Sequence, residues 1–170
     1  MPSIYIIPIT KIYSTFTEAK EFFTEFGGVS LFGDKERLKV SDLAQGKRNL
    51  IVGEPGIGKT LLLQKIKDRL DEDGSTTALI NLRQTDATDR IDEFLKKEVD
   101  SPKVLLLDAL DEVRSSLFPS VLQNIEQVSR KYPELSIYLS SRWVFISRYA
   151  NSFPEYRFIT ISTFTRGQVK

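Results

Sequence analysis

One stretch decides the fold of this 170-residue chain: Gly53-Glu54-Pro55-Gly56-Ile57-Gly58-Lys59-Thr60. It fits the pattern G-x-x-x-x-G-K-[S/T] at every fixed position. The preceding residues Asn49–Val52 have the apolar character of a buried strand. After the stretch, apolar residues follow at helical spacing, at Leu62, Leu63, Ile66 and Leu70. A glycine turn between a strand and a helix can arise by chance, but this context favours a loop that binds phosphate groups.

The residue types in this loop suit an anionic ligand with a metal ion. Glycines let the backbone curl so that successive N–H groups point at phosphate oxygens, and the following helix adds its positive end. We expect Lys59 to reach the β- and γ-phosphates and to act in catalysis, and the Thr60 hydroxyl to coordinate Mg²⁺. Residues 53–61, from Gly53 to Leu61, are therefore predicted to bind a nucleoside triphosphate with Mg²⁺.

Downstream of the loop, short apolar runs alternate with segments of helical period, as in βαβ units. Four further strands are predicted, at Thr77–Leu82, Val104–Leu107, Ile137–Ser141 and Phe158–Ile161. One helix is predicted through Ile91, Phe94, Leu95 and Val99, and the next through Val121, Leu122, Ile125 and Val128, with Ser116 or Ser120 as its cap and Pro133 at its exit. We expect an α/β three-layer sandwich around a mostly parallel, five-stranded sheet.

The first 48 residues are predicted to be an N-terminal extension packed on the core formed by residues 49–170. Tyr5–Ile9 has the pattern of a strand. Thr17–Phe26 has the pattern of a helix that Gly27 and Gly28 end. So short a segment cannot bury much of a core of its own, so we do not expect a separate domain.

An acidic group follows the third predicted strand. Asp108 stands at the carboxyl end of the apolar run Val104–Leu107, where ligands bind in open parallel sheets. We expect Asp108 to hold Mg²⁺. Asp111 and Glu112 follow closely and are candidates to orient or deprotonate an attacking water, with helix capping as the alternative for either one.

A basic residue follows the fourth predicted strand, at the same edge of the sheet. Arg142 comes directly after Ile137–Ser141 and could sense a γ-phosphate. The alternative is a structural ion pair with Asp108 or Asp111.

Composition narrows the function classes. Hydrophobic residues make up 41% of the chain and charged residues 28%, which is usual for a globular protein. The net charge of +1 does not indicate nucleic-acid or anionic-membrane binding. Without Cys or His, the chain has no disulfide and no His-ligated zinc site, and its general base is a carboxylate or a Lys. The apolar run Ser3–Ile9 is too short for a membrane span or secretory signal, so we expect a cytoplasmic location.

Three blocks together resemble a NACHT domain, a branch of the STAND class of signal-transducing ATPases. They are GEPGIGKT at 53–60, LLLDALDE at 105–112 and LSSR at 139–142. NACHT proteins carry a tiny residue after the metal-binding Asp, here Ala109, and then an acidic pair. AAA+ ATPases usually have a catalytic Glu in that place. The resemblance implies a P-loop NTPase fold of the ASCE type.

The resemblance covers residues 49–164, because Phe158–Phe164 is similar to the strand and exit that close NACHT cores. Phe32–Leu38 is similar to a segment that contacts the base in related ATPases. Arg83 matches an Arg frequent in NACHT proteins, with a plain surface or structural Arg as the alternative. The chain has neither an Asn-Lys-x-Asp segment nor an Asp-x-x-Gly after the third strand, both GTP-specific features, so we expect ATP.

The function that the resemblance implies is a switch. ATP binding and slow hydrolysis would change the packing of the core on neighbouring domains, with homo-oligomerisation on activation and a role in defence or stress signalling. NACHT proteins also carry flanking effector and sensor domains, so we expect this chain to be part of a larger protein. The alternatives are an AAA+-like motor that acts on nucleic acid or protein, and a scaffold that holds ATP without hydrolysing it.

Overall fold

The computed structural model of the chain describes residues 10–25 and 40–161. In chain order its elements are β1 (Thr10–Tyr13), α1 (Phe16–Glu25), α2 (Val40–Leu43), β2 (Arg48–Val52), α3 (Lys59–Glu72), β3 (Thr76–Asn81), α4 (Ala87–Lys96), β4 (Lys103–Asp108), α5 (Phe118–Lys131), β5 (Ser136–Ser141), α6 (Trp143–Ile146) and β6 (Arg157–Ile161), with 3-10 turns at Leu110–Glu112 and Ala150–Ser152.

The strands form one sheet in the order β1-β6-β2-β5-β4-β3. Strands β2 to β6 run parallel to one another. The predicted mostly parallel sheet is confirmed, but it has six strands instead of five. The additional strand is β1, which pairs antiparallel with β6 through Thr10↔Ile161 to Tyr13↔Phe158. The predicted strand Tyr5–Ile9 lies outside the described residues.

Two apolar clusters, one on each face of the sheet, make the three layers. One cluster joins the sheet to α1, α4 and α5 through residues such as Ala19, Ile91 and Ile125. The other joins the opposite face to α2 and α3 through Leu43 and Leu63. Neighbouring residues of one strand, such as Leu50 and Ile51, enter different clusters because strand side chains alternate between faces. Within residues 10–25 and 40–161, no helix is both long enough and apolar enough to cross a membrane.

Helix boundaries differ from those predicted. The predicted helix through Val99 ends at Lys96, because Lys97 is extended (φ −63°, ψ 125°) and redirects the chain toward β4; Val99 is 40% exposed. Neither Ser116 nor Ser120 caps α5. Its N-cap is Leu117, and a proline stands in its first turn, where a fixed φ suits the helix. The predicted helix at Thr17–Phe26 is α1, and the glycines expected to end it lie outside the described residues.

Candidate functional site

The glycine-rich loop connects β2 to α3 at the carboxyl edge of the sheet. Gly56 and Gly58 have φ values of 75° and 104°, in the left-handed region that favours glycine. A Cβ added at either position would meet no described atom within 4 Å. At Gly53, by contrast, a Cβ would lie 2.9 Å from Ile57 Cγ2. The loop is thus packed at its start and open along its middle, as a cradle for an anion requires.

Lys59 reaches back over this loop. Its Nζ donates hydrogen bonds to the carbonyl oxygens of Gly53 and Glu54, both at 2.9 Å. Burial lowers the pKa of Lys59 below its usual 10.5, although the charges of Asp111, Glu54 and Asp108 act in the opposite direction. In this arrangement the ammonium group lies beside the open glycines. Among the described residues, its hydrogen-bond acceptors are these two neutral carbonyls, which a more strongly accepting phosphate oxygen could replace.

Thr60 and Asp108 meet, although 48 positions separate them in sequence. Thr60 Oγ1 donates a hydrogen bond of 2.7 Å to Asp108 Oδ2. Asp108 is only 6% exposed. Because the hydroxyl hydrogen points at the carboxylate, the lone pairs of the hydroxyl oxygen remain available to a cation. A hydroxyl and a carboxylate are hard oxygen ligands that suit Mg²⁺, which takes its other ligands from phosphate and water.

Ser140, at the end of β5, holds the other oxygen of the same carboxylate. Its hydroxyl donates to Asp108 Oδ1 and accepts the Ala109 N–H at 2.8 Å. Ala109 has a φ of 63°, in the left-handed region. Our sequence reasoning did not assign a role to Ser140. The available signal was a serine in the last two positions of the strand that lies next to the strand ending in Asp108.

The acidic pair after Asp108 is engaged by two arginines. Asp111 accepts hydrogen bonds from the backbone N–H of Arg142 at 3.1 Å and from its Nε at 2.6 Å. This contact raises the pKa of Arg142. The Asp111 side chain is 4% exposed, whereas that of Arg142 is 48% exposed. Glu112 Oε2 lies 3.2 Å from a guanidinium nitrogen of Arg83, and its side chain is 45% exposed.

The structure thus brings Lys59, Thr60, Asp108, Asp111 and Arg142 to one edge of the sheet. Arg142 forms an ion pair with Asp111, which is the alternative to γ-phosphate sensing. Arg83 forms an ion pair with Glu112, in agreement with the alternative of a structural role. Leu61 lies in the first turn of α3 with 53% exposure. The segment Phe32–Leu38, similar to a base-contacting segment, lies outside the described residues.

Comparison with known proteins gives a family and a fold. A family model described as AAA domain matches residues 45–135. No curated protein is significantly similar to the chain. The Orc1 protein of Aeropyrum pernix in complex with DNA is similar with a TM-score of 0.55 and 16% identity, over 76% of this chain and 46% of that chain. Rif2 of Saccharomyces cerevisiae is similar with a TM-score of 0.56 and 9% identity, over 76% of this chain and 54% of that chain. The chain thus spans about half the length of these two structures, and at such identities the likeness extends to the fold alone.

Proposed function

We propose that this chain, which belongs to the AAA domain family, binds ATP with Mg²⁺ and hydrolyses it slowly as a conformational switch. The observation that carries the proposal is the 2.7 Å hydrogen bond between Thr60 and Asp108, beside an open glycine loop. It joins the two groups that the sequence predicts as ligands of Mg²⁺. When bound, Mg²⁺ neutralises charge on the phosphate oxygens.

The chain's own residues account for binding. The open backbone at Gly56 and Gly58 offers amides to the triphosphate, and Lys59 exchanges its neutral carbonyl acceptors for phosphate oxygens. Thr60 and Asp108 hold the metal from the side of the sheet. No step requires a change in the strands that carry these residues.

Glu112 is the residue to which we assign activation of the attacking water. Both oxygens of Asp111 accept hydrogen bonds from Arg142, and its side chain is 4% exposed. Glu112 is 45% exposed in its ion pair with Arg83, so water can reach its carboxyl group. It must still exchange that partner before acting as a base. A base that is already paired, together with Ala109 in the place where AAA+ enzymes usually carry a Glu, supports slow turnover.

Arg142 is the residue to which we assign the switch. In the structure its Nε donates a hydrogen bond to Asp111. A γ-phosphate offers a more highly charged acceptor, so Arg142 would leave Asp111 when ATP binds and return after hydrolysis. The exchange would alter the 3-10 turn at Leu110–Glu112, which carries Asp111. The conformation of this turn would therefore depend on whether ATP or ADP is bound.

The resemblance to NACHT domains extends this proposal to a signalling protein that homo-oligomerises on ATP binding and relaxes in the ADP state. Size-exclusion chromatography with light scattering tests this part. We expect a larger assembly in Mg²⁺ and a non-hydrolysable ATP analogue than in ADP. Equal sizes in both nucleotides would contradict the oligomerisation.

Membership of the AAA domain family favours a second candidate, a motor with faster turnover. The similar Orc1 structure is a complex with DNA, but 16% identity brings the fold alone to this chain. Phosphate release measured with and without duplex DNA distinguishes the two. A rate that DNA does not change supports the switch, and a strongly stimulated rate supports the motor.

The central test is the Mg²⁺ dependence of ATP binding, measured by calorimetry on the 170-residue chain. Wild type should bind ATP more tightly with Mg²⁺ than without it. In Asp108→Asn we expect that advantage to fall by about tenfold or more, because an amide replaces the charged ligand. Asp100→Asn is the matched control, since Asp100 is exposed and precedes β4 at the opposite edge of the sheet. Failure of wild type to bind ATP, or a normal Mg²⁺ effect in Asp108→Asn, contradicts the proposal.

A further inference from the structure

The Ser140 hydroxyl is enclosed beside the carboxyl end of β4. Ser140 is completely buried. Its Oγ touches the Asp108 carboxylate and the Ala109 amide, which belong to consecutive residues at the end of β4. The contact therefore links the end of β5 to the point where β4 turns into the 3-10 segment.

Chemistry determines the direction of both hydrogen bonds. The Ser140 hydroxyl donates its single hydrogen to Asp108 Oδ1. The Ala109 N–H only donates, so it must take a lone pair of the same hydroxyl oxygen. With both directions determined, the hydroxyl cannot rotate without losing one of the two bonds.

The Asp108 carboxylate is consequently held at both oxygens. Ser140 donates to Oδ1 and Thr60 donates to Oδ2. Thr60 lies on the exposed side, where nucleotide and metal would enter, whereas Ser140 lies in the buried interior. The Ser140 contact therefore sets the plane of the carboxylate from behind, without occupying the open side.

We propose that Ser140 is a positioning residue for Mg²⁺: it orients the Asp108 carboxylate toward the metal and is not itself a ligand. The inference rests on the proposed function, because it presupposes a Mg²⁺ held by Thr60 and Asp108. Groups behind a ligand that orient it typically change metal affinity by 10- to 100-fold when they are removed. Mg²⁺ demands close to ideal ligand geometry, so it is sensitive to such a loss.

The neighbouring serine provides a matched control. Ser141 is also completely buried at the end of β5. Its Oγ donates to the carbonyl oxygen of Arg142 at 3.2 Å and so serves its own strand. Each alanine variant removes one buried hydroxyl from the same strand, but of the two serines only Ser140 contacts Asp108.

The experiment is a Mg²⁺ titration of ATP binding by wild type, Ser140→Ala and Ser141→Ala, with ATP binding in EDTA as a second measurement. In Ser140→Ala we expect the Mg²⁺ midpoint to rise by about tenfold and ATP affinity in EDTA to stay as in wild type. Ser141→Ala should match wild type in both. An unchanged midpoint in Ser140→Ala, or equal shifts in both variants, overturns the inference.

Two further variants keep the test decisive. Ser140→Cys replaces the hydroxyl with a thiol, a weaker donor, and leaves no cavity at this position. It should raise the midpoint, and a wild-type midpoint refutes the positioning role. In an Asp108→Asn background, Ser140→Ala should have no further effect on Mg²⁺ dependence; additive effects contradict a role through Asp108. If wild type itself shows no Mg²⁺ dependence, the proposed function fails, and this inference fails with it.

Discussion

Replacement of Lys59 by alanine separates phosphate binding from folding. Lys59 Nζ makes two hydrogen bonds of 2.9 Å, both to neutral loop carbonyls. In the complex it would face phosphate oxygens, and charge-assisted bonds of that kind contribute about 1.5–3 kcal/mol. ATP affinity should therefore fall by about ten- to a hundredfold in Lys59→Ala.

The same substitution should change stability far less. Bonds from an ammonium group to neutral carbonyls are weaker than bonds to phosphate, and at this half-exposed position each contributes about 1 kcal/mol. The half-buried ammonium is partly desolvated, which the lowered pKa of Lys59 reflects, so its removal also relieves a penalty. We expect the free energy of unfolding to fall by about 1 kcal/mol or less.

Calorimetric titration with ATP and urea denaturation, both on the purified chain, measure the two quantities. Lys96→Ala is the control, because Lys96 is an exposed lysine at the last position of α4 and its loss changes the net charge equally. ATP affinity within about twofold of wild type in Lys59→Ala would refute the reasoning. So would an equal loss of affinity in Lys96→Ala, since the effect would then come from overall charge.

Three further predictions concern pH and backbone conformation. Burial lowers the pKa of Lys59, and a bound anion favours the charged form of the lysine, so affinity for Mg²⁺-free ATP should fall as the pH rises toward 10.5. In Lys59→Arg, which stays charged, calorimetry should show a flatter pH profile, and equal slopes contradict this. Gly58 has a φ of 104°, and no described atom lies within 4 Å of a Cβ added there. In Gly58→Ala the backbone strain should cost about 1–2 kcal/mol, and circular dichroism should show a folded chain. The added methyl group lies in the phosphate cradle, so ATP binding should weaken by more than the loss of stability explains. Ala109→Gly should raise the free energy of unfolding, measured by urea titration, by up to about 1 kcal/mol. Ala109 has a φ of 63°, and the strain that alanine has there should exceed the extra conformational entropy that glycine loses on folding. A less stable variant would contradict this prediction.

Local patterns predicted the elements that depend on local interactions. Apolar runs such as Val104–Leu107 identified the parallel strands, because strands buried on both faces need continuous apolar sequence. The glycines of the loop predicted a curled backbone, and the structure gives Gly56 and Gly58 positive φ values. Element ends were less predictable. The helix expected to include Val99 stops at Lys96 since the chain must turn toward β4, and that need comes from the sheet.

Pairings between distant segments were beyond prediction from one sequence. Nothing local indicates that Thr10–Tyr13 pairs with β6, about 150 residues away. The same applies to Ser140, whose role depends on the register that places it beside Asp108. Only a folded sheet determines which side chains from different strands come within hydrogen-bonding distance.

The sequence by itself determined the chemistry that this protein can offer: a glycine loop with Lys59 and Thr60, and an acidic residue at the end of an apolar strand. Those properties depend on residue type and on neighbours a few positions away. Tertiary structure alone decided which side chains interact. Thr60 and Ser140 form hydrogen bonds with Asp108, and the ion pairs are Arg142–Asp111 and Arg83–Glu112. The physical reason is that a hydrogen bond or ion pair depends on distances of a few ångströms, which the order and register of parallel strands determine and which sequence spacing does not contain.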